Sequence, residues 1–177
     1  MKKYHPLLVA LHWLLVPLLG LALIMGDEVL SHTANDAPEK IGLLKSHMIM
    51  GFAILALMLI RFVTRIFSKH PAHIDTGKPL MDKLAVIAHG ALYWLVFFMA
   101  ASGIALAIQT GLPDIVFFGG EGKLPADFSD FTPRLVHGLL SKILLIMIVL
   151  HVLAAFYHQF ILKDGIFSRI WFGKRNG

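Results

Sequence analysis

Residues 135–158 read LVHGLLSKILLIMIVLHVLAAFYH. The stretch can cross a bilayer, since about 20 predominantly apolar residues span the hydrocarbon. It also carries His137, His151 and His158. An imidazole at membrane depth has to be bonded or ligated, because its nitrogens find no water there. At about 1.5 Å per residue, His137 and His151 stand about 21 Å apart along the helix axis. Fourteen steps of about 100° bring the second within about 40° of the first. One helix face therefore carries two imidazoles at two depths.

The remainder of the chain has the same character. Of 177 residues 57% are hydrophobic and only 15% charged, far too apolar a balance for an ordinary soluble domain. Three more hydrocarbon-length runs precede the one quoted. The pattern predicts an all-α protein, an integral membrane four-helix bundle forming one domain over residues 1–177. Its helices are expected over about 7–26, 43–67, 82–109 and 133–162. The first run follows Lys2 and Lys3, as a signal peptide would. It is longer than a usual signal core, contains His12 and lacks a clean small-residue cleavage site, so it reads as a retained helix. The chain has no cysteine, which excludes iron–sulfur clusters, thiolate ligands and disulfides.

Charge sorts by segment. Lys2 and Lys3 make the N-terminus basic; Arg61, Arg65, Lys69, Lys78 and Lys83 outweigh Asp75 and Asp82 after the second run. Lys163, Arg169, Lys174 and Arg175 outweigh Asp164 in the tail. The other two connections are acidic: Asp27, Glu28, Asp36 and Glu39 against Lys40 and Lys45, then Asp114, Glu121, Asp127 and Asp130 against Lys123 and Arg134. Basic segments alternate with acidic ones, so the positive-inside rule places both termini in the cytoplasm. That orientation, with anionic lipid as the partner, accounts for the net charge of +5 without any nucleic acid. The long outer loop, Gly111 to Pro133, holds Phe117, Phe118, Phe128 and Phe131. It is expected to fold over the outer end of the bundle as a lid, a docking surface or an interfacial anchor.

Topology sorts the histidines by depth. His12 falls toward the cytoplasmic side of the first helix and His47 at the outer start of the second. On the fourth helix His137 is outer and His151 inner. This yields two pairs, His47 with His137 and His12 with His151, a geometry for two stacked cofactors inside a bundle. Haem iron takes axial imidazoles from facing helices, and its macrocycle is apolar. Zinc would want four ligands in one cluster, whereas these pairs are split between leaflets and no Asp or Glu lies inside a helix. Covalent haem attachment would need C-x-x-C-H. Gly51, Gly138, Ala154 and Ala155 leave room for a planar ring or for close helix packing. His89 on the third helix competes with His12 for His151. His12 is favoured because it leaves the third helix as an unliganded wall.

The stretches LHWLL at His12, KSHMIMG at His47, RFVTRIFSKHP, AHGALYWLVFFMAASG, VHGLLSKI at His137 and LHVLAAFYHQFILKDG at His151 and His158 together resemble the bacterial cytochrome b-561 family. The resemblance covers about residues 5–175. It also extends, more distantly, to cytochrome b subunits of nickel-iron hydrogenases and formate dehydrogenases. It implies a membrane cytochrome b domain with two haem b, bis-histidine ligation by His12, His47, His137 and His151, and quinone-linked electron transfer. One type in the family is a superoxide oxidase, which passes electrons from superoxide to ubiquinone. The location implied is the bacterial inner membrane, multi-pass.

His158 is the candidate quinone-binding residue. It lies seven residues past His151, about 10.5 Å deeper toward the cytoplasm on nearly the same face, and the resemblance points to the same position. The electron donor on the outer face is expected to be superoxide or a redox partner protein. The net acidic outer loops are not the pattern of an anion funnel. Lys142, inside the fourth helix, is expected to pair with a haem carboxylate or snorkel to lipid. Two other functions fit the same chain: an electron-transfer cytochrome b subunit serving a dehydrogenase or hydrogenase, and a proton-coupled transporter without haem.

Overall fold

The computed structural model describes residues 3–69, 71, 79–120 and 122–172. The charges of Lys2, Asp75, Lys78, Glu121, Lys174 and Arg175, counted above for orientation, lie outside the described residues. Four helices are long and apolar enough to cross a membrane: α1 (Pro6–Leu30), α2 (Lys40–Phe67), α3 (Pro79–Gln109) and α5 (Thr132–Leu162). The short α4 (Leu112–Phe117) and α6 (Ile166–Arg169) lie in the connection before α5 and in the tail. No strand occurs among the described residues.

Local chemistry sets the ends. Pro6 opens α1, where a missing amide proton costs nothing, and the His5 ring nitrogen accepts from the Leu7 amide at 3.3 Å. Pro133 does the same for α5, after extended Phe131. The last turns of α1 (Met25–Leu30) and α5 (Tyr157–Leu162) widen to π-helix. Such single wide turns recur at functional sites. α2 starts three residues earlier than the apolar pattern predicts, and Lys40 explains why. Its ammonium donates to the carbonyls of Leu30 at 2.6 Å and Thr33 at 2.5 Å and is only 4% exposed. The negative end of α1 thereby neutralises a lysine that would otherwise stay in water.

α1 packs along α2 and α3 along α5; α2 and α3 close the bundle, while α5 stays more distant from α1 and α2. Halfway along, Leu15, Ile54, Met58, Val96 and Leu144 meet in one layer drawn from all four helices. Leu144 is 1% exposed and lies seven residues from both His137 and His151. The outward rows are bare: Leu139, Ile146, Leu150 and Leu153 on α5 are each more than half exposed. Those rows face lipid tails, which are as apolar as leucine itself.

Each end of the bundle is finished differently. At the end away from the termini, Leu112 and Val116 of α4 pack on Leu44 of α2 and Ala107 of α3. The Asn35 amide donates to the carbonyls of Pro125 and Ala126 at 3.0 and 3.2 Å, tying the two loops of that end together. The Gly111–Pro133 connection thus folds onto the bundle. At the other end, Trp13 donates to the Ile170 carbonyl at 2.8 Å and packs edge-on against Trp171 at 5.1 Å. The Tyr4 amide donates to the Arg169 carbonyl at 3.2 Å, so both termini occupy one face.

Truncating Leu144 to Ala should cost about 2–5 kcal/mol, because the layer cannot collapse around the lost methyls. Reversible unfolding of the purified protein in detergent would register it, and a lipid-facing Leu150→Ala change should cost far less.

Candidate functional site

His12 of α1 faces His151 of α5, with ring centres 6.4 Å apart and planes at 73°. His47 of α2 faces His137 of α5, at 6.2 Å and 78°. With metal–imidazole bonds of about 2.0 Å, and ring centres about 1.1 Å behind each nitrogen, two imidazoles sharing one metal ion between them would stand about 6.2 Å apart. Both pairs sit at that separation. His89 is also near His151, but at 5.2 Å, about 1 Å too short for an iron between them by the same bond lengths. Its Nδ1 lies 2.6 Å from the Ala85 carbonyl of its own helix. The geometry thus gives iron-bridging separation to His12 and not to His89.

The surroundings of the rings point the same way. His137 Nδ1 lies 3.1 Å from the Met99 carbonyl and 2.9 Å from the Ser102 hydroxyl, which itself donates to Met99 at 2.8 Å. A carbonyl only accepts, so Nδ1 carries the proton and Nε2 keeps its lone pair for a metal. Glycines let the rings lie against neighbouring helices. A Cβ on Gly103 would stand 3.2 Å from His137 Cε1, and one on Gly26 would stand 3.4 Å from His47 Cε1. The Nδ1 of His47 is buried with no hydrogen-bond partner, a state that native interiors rarely leave unexplained. Among the described residues no three His, Cys, Asp or Glu side chains converge as a metal cluster. A tetrahedral zinc site is not what these side chains build.

Two arginines accompany the pairs, and sequence reasoning missed both. Arg61, counted above as a loop charge, lies inside α2. Its guanidinium donates to the Leu8 carbonyl, sits 5.9 Å over the Tyr93 ring, and is close enough for its charge to act on His12 and His151. Arg134 stands in the same relation to His47 and His137. The available signal was spacing: Arg61 follows His47 by fourteen residues, the interval between His137 and His151. Lys142 is instead exposed, about 140° around α5 from His137 by helical geometry, and so faces away from the pairs.

His158 does not continue a regular helix, because the π turn starts at Tyr157. Its Nδ1 lies 2.5 Å from Asp164 Oδ2, both side chains being 20% exposed. The turn through Lys163 (φ 51°) and Gly165 (φ 76°) brings Asp164 back, and the Ile166 amide holds its second oxygen at 3.0 Å. Burial pushes the Asp164 carboxyl up, but the bonds from His158 and Ile166 prevail and hold it below the ordinary range. Sequence reasoning missed Asp164 too, since a six-residue return across a π turn has no periodic signature. A shallow hollow of about 440 Å³ beside this turn is lined by Gln159, Phe160, Lys163, Gly165 and Ser168.

Four membrane helices carrying two facing imidazole pairs, one above the other, define the architecture of a membrane b-type cytochrome. The profile of the prokaryotic cytochrome b561 family matches residues 3–173, and the chain belongs to that family. Over 98% of both chains it is 28% identical to a probable superoxide oxidase, CybB, of Yersinia pestis. It is 26% identical to cytochrome b561 homolog 2 of Escherichia coli, over 96% of this chain and 91% of that one. It is 25% identical to a cytochrome b562 of Cereibacter sphaeroides, over 94% of both. The protein is thus a bacterial integral membrane electron-transfer protein whose family implies haem b, and the residues of both pairs fit that group.

Two outcomes follow from this geometry. Gly103→Ala should press on the His137 ring and lower haem retention, read from the reduced-minus-oxidised absorbance spectrum, whereas Gly51→Ala, with open space at its Cβ, should not. The Asp164 contact should be fully present above the ordinary carboxylate range, since its pKa is depressed in the folded state. It should be lost as pH falls through that depressed value, and protection of the Ile166 amide, its exchange rate compared with the intrinsic rate at each pH, should then fall.

Proposed function

We propose that this protein is a di-haem superoxide:ubiquinone oxidoreductase, with its termini in the cytoplasm. His47 and His137 are the axial ligands at the periplasmic level, and His12 and His151 those at the cytoplasmic level. His158 is the quinone contact. The observation that carries the reading is the pair of ring separations, 6.2 and 6.4 Å, stacked about two-thirds of the way across the hydrocarbon. When bound, haem b supplies one-electron transfer. Two superoxide anions each give up one electron and leave as dioxygen; ubiquinone takes both electrons and two protons to become ubiquinol.

The chain's own groups supply the rest. Arg134 places a cation beside the outer pair, which favours an anionic donor there although the loops are net acidic. The probable superoxide oxidase among the relatives supports the same substrate. At the inner end the ionised Asp164 can only accept, so His158 donates to it through Nδ1, and Nε2, when it too carries a proton, donates to a quinone oxygen. Transfer of the Nε2 proton to that oxygen leaves the ring neutral, with Nδ1 still donating to the carboxylate. Partial exposure of both side chains gives the proton a route from water.

The purified protein tests this directly. Superoxide should reduce its haem and generate ubiquinol; if superoxide leaves the haem oxidised, the substrate assignment is wrong. His47→Ala or His137→Ala should remove one haem and His12→Ala or His151→Ala the other, with His89→Ala retaining both. Asp164→Asn should slow ubiquinol formation at least tenfold while haem reduction by superoxide stays unchanged.

A second reading has one observation in its favour. Phe118, beside α4, is 80% exposed on the cap over the outer pair, a place where a protein donor could dock. An electron-transfer subunit would co-purify with its partner dehydrogenase or hydrogenase, and its haem would be reduced by that partner and not by superoxide.

A further inference from the structure

α2 repeats the arrangement of α5 with one substitution of chemistry. His47 and Arg61 are fourteen residues apart on α2, as His137 and His151 are on α5. At the level where α1 and α5 present His12 and His151, α2 therefore presents a guanidinium. A cation within a membrane-spanning helix is costly unless an anion or a set of carbonyls receives it. The contacts of Arg61 are neutral: the Leu8 carbonyl and the ring of Tyr93, which Arg65 also approaches at 5.8 Å. Asp164, the carboxylate nearest in sequence to the inner histidine pair, is bound to His158. The Tyr93 hydroxyl is buried beside the Arg61 guanidinium and within reach of its charge. A part-buried guanidinium next to a buried hydroxyl that can also donate is a receptor for a carboxylate, which accepts from both.

We propose that Arg61 and Tyr93 bind a carboxylate of the haem held by His12 and His151, and that the Arg61 charge raises the reduction potential of that haem above what its ligands alone would give. The inference rests on the ligand assignment above. Its sign follows from electrostatics: reduction lowers the charge at iron by one, so a nearby cation stabilises the reduced form. Arg65 shares the Tyr93 ring but lies one turn further along α2. Arg134 serves the other level, so the effect belongs to one haem.

The test is redox titration of the purified holoprotein, following the two haem signals separately. The inner signal is the one that His12→Ala removes. Arg61→Gln should lower the midpoint of the inner haem and leave the outer one in place. Arg61→Lys, which keeps the charge, should restore most of the difference. Tyr93→Phe, a change of one hydroxyl, should lower the same midpoint by less, and it keeps the proposal testable if Arg61→Gln fails to insert. An unchanged inner midpoint in both Arg61→Gln and Tyr93→Phe overturns the proposal. So do equal falls in Arg61→Gln and Arg61→Lys, or equal shifts of both haems, which would mark Arg61 as a structural tie to Leu8. If His12→Ala retains both haems, the ligand assignment falls and this proposal with it. If His12→Ala loses one haem while the arginine variants keep their potentials, only this proposal falls.

Discussion

Imidazole nitrogens cannot be left bare in hydrocarbon, and α5 carries two of them fourteen residues apart on one face. Much of the bundle follows from accommodating that face. α5 leans on α3, where Ser102 and the Met99 carbonyl take up the Nδ1 proton of His137. The other two helices, closely paired with each other, bring His12 and His47 to the matching depths. Gly103 and Gly26 are small because rings lie on them. Between the two levels no polar side chain is needed, and the structure puts Leu15, Ile54, Met58, Val96 and Leu144 there.

The parts of this design that repeat along a helix were legible in the amino-acid sequence. Apolar runs of spanning length showed four helices, and depth alone matched His12 with His151 and His47 with His137. His12 and His89 lie at similar depth, and their rings stand 6.4 and 5.2 Å from that of His151. Groups that act across turns stayed hidden. Asp164 reaches His158 through a π turn and two residues with positive φ, and no pattern of period 3.6 describes that path. Lys40 looked like a loop charge, because nothing in its neighbourhood shows that the carbonyl end of α1 will receive it. Arg61 was readable in principle, as the fourteenth residue after His47, but its charge invited counting with the loop.

The two ends serve different tasks. Away from the termini, α4 and its aromatic neighbours make a fixed cap, joined to the α1–α2 loop through Asn35. At the terminal end the tail folds back beneath Trp13, and the hydrogen bond from the Tyr4 amide to the Arg169 carbonyl ties the residues just before α1 to α6. That closure holds the π turn of α5, and with it His158 and Asp164, beside a hollow open to the membrane surface.

The leucine-rich layer between the histidine levels has a consequence of its own. None of its five buried side chains, Leu15, Ile54, Met58, Val96 and Leu144, carries a hydroxyl, carboxylate or imidazole, and Tyr93 packs against them from one side. Charge moving between the levels would cross about 21 Å of a roughly 30 Å dielectric. The layer therefore works as the insulator of a capacitor. Each electron carried through it would be worth about 1.6 kcal/mol per 100 mV of membrane potential, taking about 2.3 kcal/mol for a full crossing. With a haem at each level, turnover would charge or discharge the membrane by an amount set by the distance between the two histidine levels that Leu144 holds apart.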